Sequence, residues 1–196
     1  MKLLVATNNQ GKLKEFNEIL GELGITCVSL KDMGISVEVE ETGTTFLENA
    51  LLKAKEIYKI ANVPTISDDS GLMVDSLNGE PGVYSARYAG EPSDDNNNMD
   101  KLIGNLKGIK NRTARFKSVI AAVFSEEDIL VSEGECEGVI IDEKRGENGF
   151  GYDPIFYVES FGKTFAQMSD AEKNSLSHRG NAIRALKEQL KLRLND

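Results

Sequence analysis

The 196-residue sequence contains no tryptophan, one histidine, two cysteines and four prolines. Two cysteines with no C-x-x-C pair and no Cys/His spacing exclude a disulfide framework and a zinc ribbon. Cys27 and Cys136 each sit in an apolar, strand-like stretch and read as reduced core residues. Few prolines, no internal repeat and no low-complexity tract exclude a linker-divided array. No apolar run approaches membrane-spanning length, and the leading Leu3–Ala6 run is too short for a secretory signal, so the expectation is a cytoplasmic protein. Positive charge is also short: 23 Lys+Arg against 32 Asp+Glu, a net charge of −9. That balance opposes long-range attraction to nucleic acid or an anionic membrane. A phosphate-bearing ligand would need a local cation cluster, with a metal.

What is present is ordinary for a folded chain, with 40% hydrophobic and 28% charged residues. A chain of this length buries roughly 70% of its unfolded surface, enough for one domain of two lobes spanning 1–196 without a covalent staple. Leu3–Ala6 reads as a buried strand, Gly11–Leu23 as an amphipathic helix stopped by Gly24, and Ile25–Leu30 as the next strand. Thr45-Phe46-Leu47-Glu48 has capping-box spacing ahead of a helix. Val63–Ser67 reads as a strand ending at Asp68-Asp69-Ser70-Gly71, with Leu72–Leu77 a separate continuation. Met99–Leu106 looks helical, and Arg115–Phe124 with Ile129–Ile141 reads as a hairpin. A glycine-bearing loop leads to a short strand, Ile155–Val158. Ser169–Glu172 is a second capping box, opening a helical tail that Gly180 is expected to break. The sum is an α/β protein with a mixed sheet.

Four segments can carry chemistry. Thr7-Asn8-Asn9-Gln10-Gly11-Lys12 lies between the first strand and helix, where backbone N–H groups and a lysine can cradle an anion. It has neither Walker A nor dinucleotide-fingerprint spacing, and a capped polar turn fits it equally well. Asp68-Asp69-Ser70-Gly71 ends an apolar strand; two adjacent acids there cost desolvation unless paired or metal-bound. Mg²⁺ takes one or two carboxylates plus phosphate oxygens and water. Glu38, Glu40 and Glu41 form a second acidic group ahead of the helix carrying Lys53. Phe150-Gly151-Tyr152-Asp153 can offer aromatic faces and an acceptor to a planar ring, or be a turn with its aromatics tucked in. Lys173, His178 and Arg179 can converge on phosphate or carbonyl oxygens. The cation beside His178 disfavours its protonation, which favours a hydrogen-bond donor over a general base.

These segments, with Pro81-Gly82-Val83-Tyr84-Ser85-Ala86-Arg87, occur in an order that resembles the inosine/xanthosine triphosphate pyrophosphatases from residue 2 to about 190. The resemblance implies Mg²⁺-dependent hydrolysis (Mn²⁺ is the other candidate) of ITP, dITP and XTP to the monophosphate and pyrophosphate. It also implies an elongated mixed sheet flanked by helices, two lobes around a central cleft, and a homodimer. Carried over by position, Thr7, Asn8, Asn9 and Lys12 hold the triphosphate, with Lys53 a further phosphate contact. Asp69 is general base and metal-linked carboxylate, Ser70 lies beside the substrate, and Glu40 or Glu41 is the second metal ligand. Phe150, Gly151, Tyr152 and Asp153 bind purine or sugar, and Lys173, His178 and Arg179 complete the phosphate and 6-oxo contacts. Asn148 departs from the glycine many relatives carry there. The septum-formation-inhibitor-like pyrophosphatases and a non-catalytic nucleotide sensor are the competing readings. The Ser177-His178-Arg179 and Phe150–Asp153 motifs argue against the former.

Overall fold

The computed structural model describes residues 1–195. Seven strands form one mixed, open sheet in the order β2-β1-β3-β4-β5-β6-β7, and the chain divides into two compact units. One comprises Met1–Asp69, Ser118–Gly134 and the segment from His178 on; the other comprises Ser70–Lys117 and Glu135–Ser177. Among the described residues no helix is long and apolar enough to cross a membrane.

The first unit opens as the sequence predicts. Strand β1 (Lys2–Val5) leads to helix α1 (Gln10–Leu20), a 3-10 turn at Gly21–Leu23, and β2 (Thr26–Val28). Gly24, at φ +69°, makes the left-handed exit into β2. β1 pairs in parallel with β2 (Leu3 opposite Cys27) and with β3 (Leu4 opposite Thr65). Period-two alternation divides the side chains between two cores. Leu3, Val5 and Ile66 pack with Phe16 and Leu20 of α1 and with Ile183, Leu186 and Leu190 of α5 (His178–Asn195). Leu4 and Ala6 pack instead on Ile57 of α2 (Phe46–Ala61). The predicted capping box is present, with Thr45 accepting the Glu48 N–H and Glu48 accepting the Thr45 N–H.

The second unit has its own core, in which Leu72, Met99, Leu102, Phe116, Phe156 and Phe165 are buried. Phe116 meets Phe156 edge-on at 4.7 Å and stacks on Phe165 at 5.6 Å. Its elements include α3 (Asp95–Asn105), β6 (Phe156–Val158), β7 (Lys163–Thr164) and α4 (Asp170–Leu176). β6 lies antiparallel to β5 (Ile129–Ile140), with Ile140 opposite Phe156. β4 (Thr113–Val123) connects to β5 through a turn closed by the Phe124 N–H donating to the Asp128 carbonyl at 2.9 Å.

Four expectations need correction. β3 runs unbroken from Thr65 to Val74, straight through the residues expected to stop it; turn propensity loses where both acids find partners on the sheet faces. α3 begins at Asp95 because Asp94 caps it by accepting the Asn97 N–H at 2.8 Å. The helical tail breaks at Ser177, which is extended (φ −63°, ψ 148°), while Gly180 lies inside α5. β7 carried too short a pattern to be read in advance.

Candidate active site

Asp68 and Asp69, neighbours in sequence, point to opposite faces of β3. Asp68 faces α1 and α5 with Ile66. Lys12 Nζ reaches it at 3.0–3.1 Å and Arg179 Nε at 3.2 Å. Burial works against its charge, but Lys12, Arg179 and Lys53 overcome that and hold the carboxyl far below the usual range. Arg179, itself buried, also donates through Nη1 to Glu15 Oε2 at 3.0 Å. Burial again opposes its charge, and Asp68 and Glu15 more than offset it. A chain of alternating charge, Lys12–Asp68–Arg179–Glu15, thus ties α1, β3 and α5 together.

Asp69 faces α2 in different company. Asn49, itself 2% exposed, donates to Asp69 Oδ2 at 3.0 Å and accepts the Gly43 N–H at 2.7 Å. Glu41, just outside that turn, is ion-paired with Lys53 one turn along α2. Burial first, and then the Glu41 charge, push the Asp69 carboxyl up to about 6, against the Asn49 hydrogen bond and Lys53. Of the two candidate glutamates, Glu41 is half-buried in this cluster and Glu40 is exposed. Among the described residues no group of three or more His, Cys, Asp or Glu side chains converges. Two carboxylates close enough to oppose each other's charge are nevertheless the donor set Mg²⁺ uses when phosphate oxygens and water complete its shell.

Ahead of these, Asn9 caps α1, its Oδ1 accepting from the Gly11 and Lys12 N–H groups at 2.9 and 3.1 Å, and Thr7 Oγ1 accepts the Asn9 N–H at 3.1 Å. Asn8, Gln10 and Gly11 are exposed. Asn9 is therefore a structural cap, whatever else it contacts. His178 starts α5 and is nearly buried. The helix approaches β5 so closely there that a Cβ on Gly134 would lie 2.2 Å from the His178 carbonyl.

The second unit holds the aromatic loop and Lys173. Phe150 is 60% exposed, whereas Tyr152 is 4% exposed and its hydroxyl donates to the Ser85 carbonyl at 2.8 Å. Of the two aromatics only Phe150 presents a ring outward. Asp153 is buried; its Oδ2 accepts from the Phe150 N–H at 3.0 Å and from Lys173 Nζ at 2.5 Å. Lys173 lies 5.2 Å over the Phe150 ring. The Lys173 ammonium thus serves Asp153 and the ring. Ser70 is half-buried in β3.

The model of the Ham1 family matches residues 3–189. The chain belongs to the Ham1 family. This Ham1-family chain is 50% identical over 193 residues to a dITP/XTP pyrophosphatase of Bacillus anthracis, covering 96% of each, and 47% identical over 197 residues to the one of Clostridium tetani, covering 99% of this chain and 98% of that protein. Its fold matches the Staphylococcus aureus Ham1 protein with a TM-score of 0.91 at 44% identity, covering 98% of this chain and 100% of the other. The Coxiella burnetii HAM1 protein gives 0.92 at 40% identity, covering 98% and 99%. The family is the one the five motifs pointed to.

Asn49, Asp68 and Glu15 escaped the sequence-based list of site residues. Asn49 left a signal, a polar residue on the apolar face of α2 beside Ala50. Asp68 was noticed only as half of a pair, and Glu15 sits one turn after Lys12 on a helix whose other charges are exposed.

Proposed function

We propose that this Ham1-family chain hydrolyses non-standard purine nucleoside triphosphates (ITP, dITP, XTP) to the monophosphate and pyrophosphate, acting as a Mg²⁺-dependent cytoplasmic homodimer. The observation that carries the reading is Asp69: a buried carboxylate pushed up to about 6, oriented by Asn49 and set beside Glu41. That value belongs to the metal-free protein and a cation shared with Glu41 would lower it; a positioned general base typically contributes roughly 10²–10⁴-fold.

In this reading Asp69 takes the proton of a water as its oxygen bonds to the α-phosphorus. The α-phosphorus–oxygen bond to the β-phosphate breaks, and pyrophosphate leaves with the electron pair. Glu41, rather than the exposed Glu40, would hold Mg²⁺ together with Asp69, and the chemistry the ion would supply is charge neutralisation. Thr7, Asn8, Asn9, Gln10, Gly11 and Lys12 hold the triphosphate, with Lys53 and Ser70. The alternating charge chain fixes where the Lys12 ammonium stands. Phe150, Gly151, Tyr152 and Asp153 form the purine loop; Phe150 supplies the ring face, while Tyr152 and Asp153 hold the loop's shape. Lys173 and Arg179 act as charges already fixed by Asp153 and Asp68, and His178 is the donor to the 6-oxo group. An amino group at that position leaves the donor mismatched, a loss worth about 10⁴ in the strongest cases of hydrogen-bonded discrimination.

The test is one incubation series with ITP, XTP, dITP, ATP and GTP plus Mg²⁺, separating monophosphate, diphosphate, pyrophosphate and phosphate. Monophosphate with pyrophosphate from ITP, XTP and dITP and none from ATP is the expected result; GTP shares the 6-oxo group, so its rejection has to come from the 2-amino group. Equal rates on ATP and ITP would refute the 6-oxo donor, and phosphate with diphosphate would refute attack at the α-phosphorus. Binding without turnover would leave the nucleotide-sensor reading standing.

A further inference from the structure

The loop that presents Phe150 needs glycine on both sides of the ring, and at Gly149 a Cβ would lie 2.0 Å from Asp153 Oδ2. Gly149 and Gly151 flank the ring in left-handed conformations, at φ +79° and +61°, and a glycine backbone has the widest freedom of any residue. The loop is fastened. On one side, the Asp153 carboxylate that accepts the Phe150 N–H is itself tied to Lys173, and Asn148 is bonded to the Ala166 and Met168 carbonyls. Two other bonds lead out to the segment after β3. One is the Tyr152 hydroxyl to the Ser85 carbonyl; the other is the Gly151 N–H to Asp95 Oδ2 at 2.8 Å. The first acts through a long side chain on the far side of Gly151. The second grips the backbone of the residue next to Phe150.

The anchor beneath Asp95 is rigid. Asp95 is the first residue of α3, which Asp94 caps and which Met99 and Leu102 root in the core. Asn98, one turn along, donates to the Ala86 carbonyl at 3.0 Å and accepts the Ala89 N–H at 2.7 Å. Ser85 is fixed as well, its hydroxyl accepting the Leu72 N–H at 2.9 Å. The Pro81–Arg87 motif thereby supplies the carbonyl on which the Tyr152 hydroxyl rests.

We propose that Asp95 is a positioning residue for the purine loop: by accepting the Gly151 N–H it fixes where the Phe150 ring stands, and so sets affinity for the nucleobase. The inference rests on the loop's role under the function proposed above. A hydrogen bond to a carboxylate is roughly twice as strong as a neutral one, so losing it costs about tenfold in KM. Asp95→Asn keeps an acceptor oxygen and removes the charge, whereas Asp95→Ala removes both.

Because the chain has no tryptophan, Phe150→Trp places a single indole fluorophore on the loop. In the Phe150→Trp background, Asp95→Ala is expected to lower the indole's fluorescence anisotropy and increase its quenching by acrylamide, and Asp95→Asn to restore both. In the native-loop background, Asp95→Ala is expected to raise the KM for dITP about tenfold with kcat within about twofold, and Asp95→Asn to return KM to within about threefold of wild type. Unchanged anisotropy and KM in Asp95→Ala would overturn the proposal. So would equal effects of Asn and Ala, which would mean that charge alone acts, or a fall in kcat at constant KM. The fluorescence needs no turnover. If no nucleotide is hydrolysed, the pyrophosphatase reading falls while anisotropy still decides the role of Asp95.

Discussion

Substituting each acid of the Asp68–Asp69 pair by asparagine should change stability in opposite directions. Asp69 sits at about 6 against an ordinary 3.8, for burial and for Glu41. At about 1.4 kcal/mol per pKa unit, its ionisation in the folded protein costs up to about 3 kcal/mol. Because the folded value is raised, the cost is absent below about pH 4 and complete above about pH 6. Asp69→Asn retains an oxygen to accept the Asn49 N–H and carries no charge, so it should be more stable than wild type by about 1–3 kcal/mol near pH 8. Asp68 is the reverse case, a depressed carboxyl that Lys12 and Arg179 need. Removing its charge leaves the buried guanidinium with Glu15 alone and takes the carboxylate from Lys12, and Asp68→Asn should cost about 3 kcal/mol. That deficit is complete above the ordinary carboxylate range and shrinks as the pH falls through Asp68's lowered folded value. The assay is urea denaturation in EDTA, near pH 8 and near pH 5, followed by far-UV circular dichroism. Millimolar Mg²⁺ should stabilise wild type and not Asp69→Asn, narrowing the gap. Destabilisation by Asp69→Asn near pH 8 would refute the account of Asp69 as a strained, function-bearing charge.

Other consequences follow from the same geometry. Burial pushes the Cys27 and Cys136 thiols up to about 12, so neither should react with Ellman's reagent at pH 8 in the folded protein, and both should once it is unfolded in urea. Gly134→Ala would set a methyl 2.2 Å from one backbone atom and 2.3 Å from another; calorimetry should show a loss of about 2–3 kcal/mol or more, since backbone cannot rotate aside. Thr45→Ala removes half of the capping box ahead of Asn49 and Lys53 and should cost about 1 kcal/mol in urea.

How much of this was legible beforehand depended on the range of the forces involved. Capping boxes are local, and both were readable from four residues: Thr45–Glu48 and Ser169–Glu172. Alternation and helical periodicity likewise placed β1, α1 and the β4–β5 hairpin to within a few residues. What stayed hidden was decided at a distance. Asp68-Asp69-Ser70-Gly71 has turn composition, and nothing near it says that a lysine 56 residues away and an arginine 111 away will neutralise one acid. The polar run before Met99 concealed the first turn of α3 for the same reason: Asn98 is buried for its bonds to Ala86 and Ala89, not for its hydrophobicity. The aromatic pair Phe150 and Tyr152 looked equivalent, and only the core beneath Tyr152 separates their roles.

The strand's passage through the two acids is what gives the site two kinds of carboxylate from one dipeptide. Had β3 turned at Asp68, both side chains would have faced solvent, with ordinary pKa values and no reason to differ. Because it continues, the pleat sends one acid to the basic residues of α1 and α5 and the other to the neutral Asn49 and the acidic Glu41. The first becomes a permanent anion that orders cations; the second becomes a group whose charge is costly and therefore responsive to a proton or a cation. Period two alone accomplishes that division. A one-residue slip in the β1–β3 register would turn each acid to the opposite face, taking Asp69 away from Asn49 and Asp68 away from Lys12 and Arg179. The buried pairs Leu4–Thr65 and Val5–Ile66 that fix this register are thus as necessary to the proposed chemistry as the carboxylates.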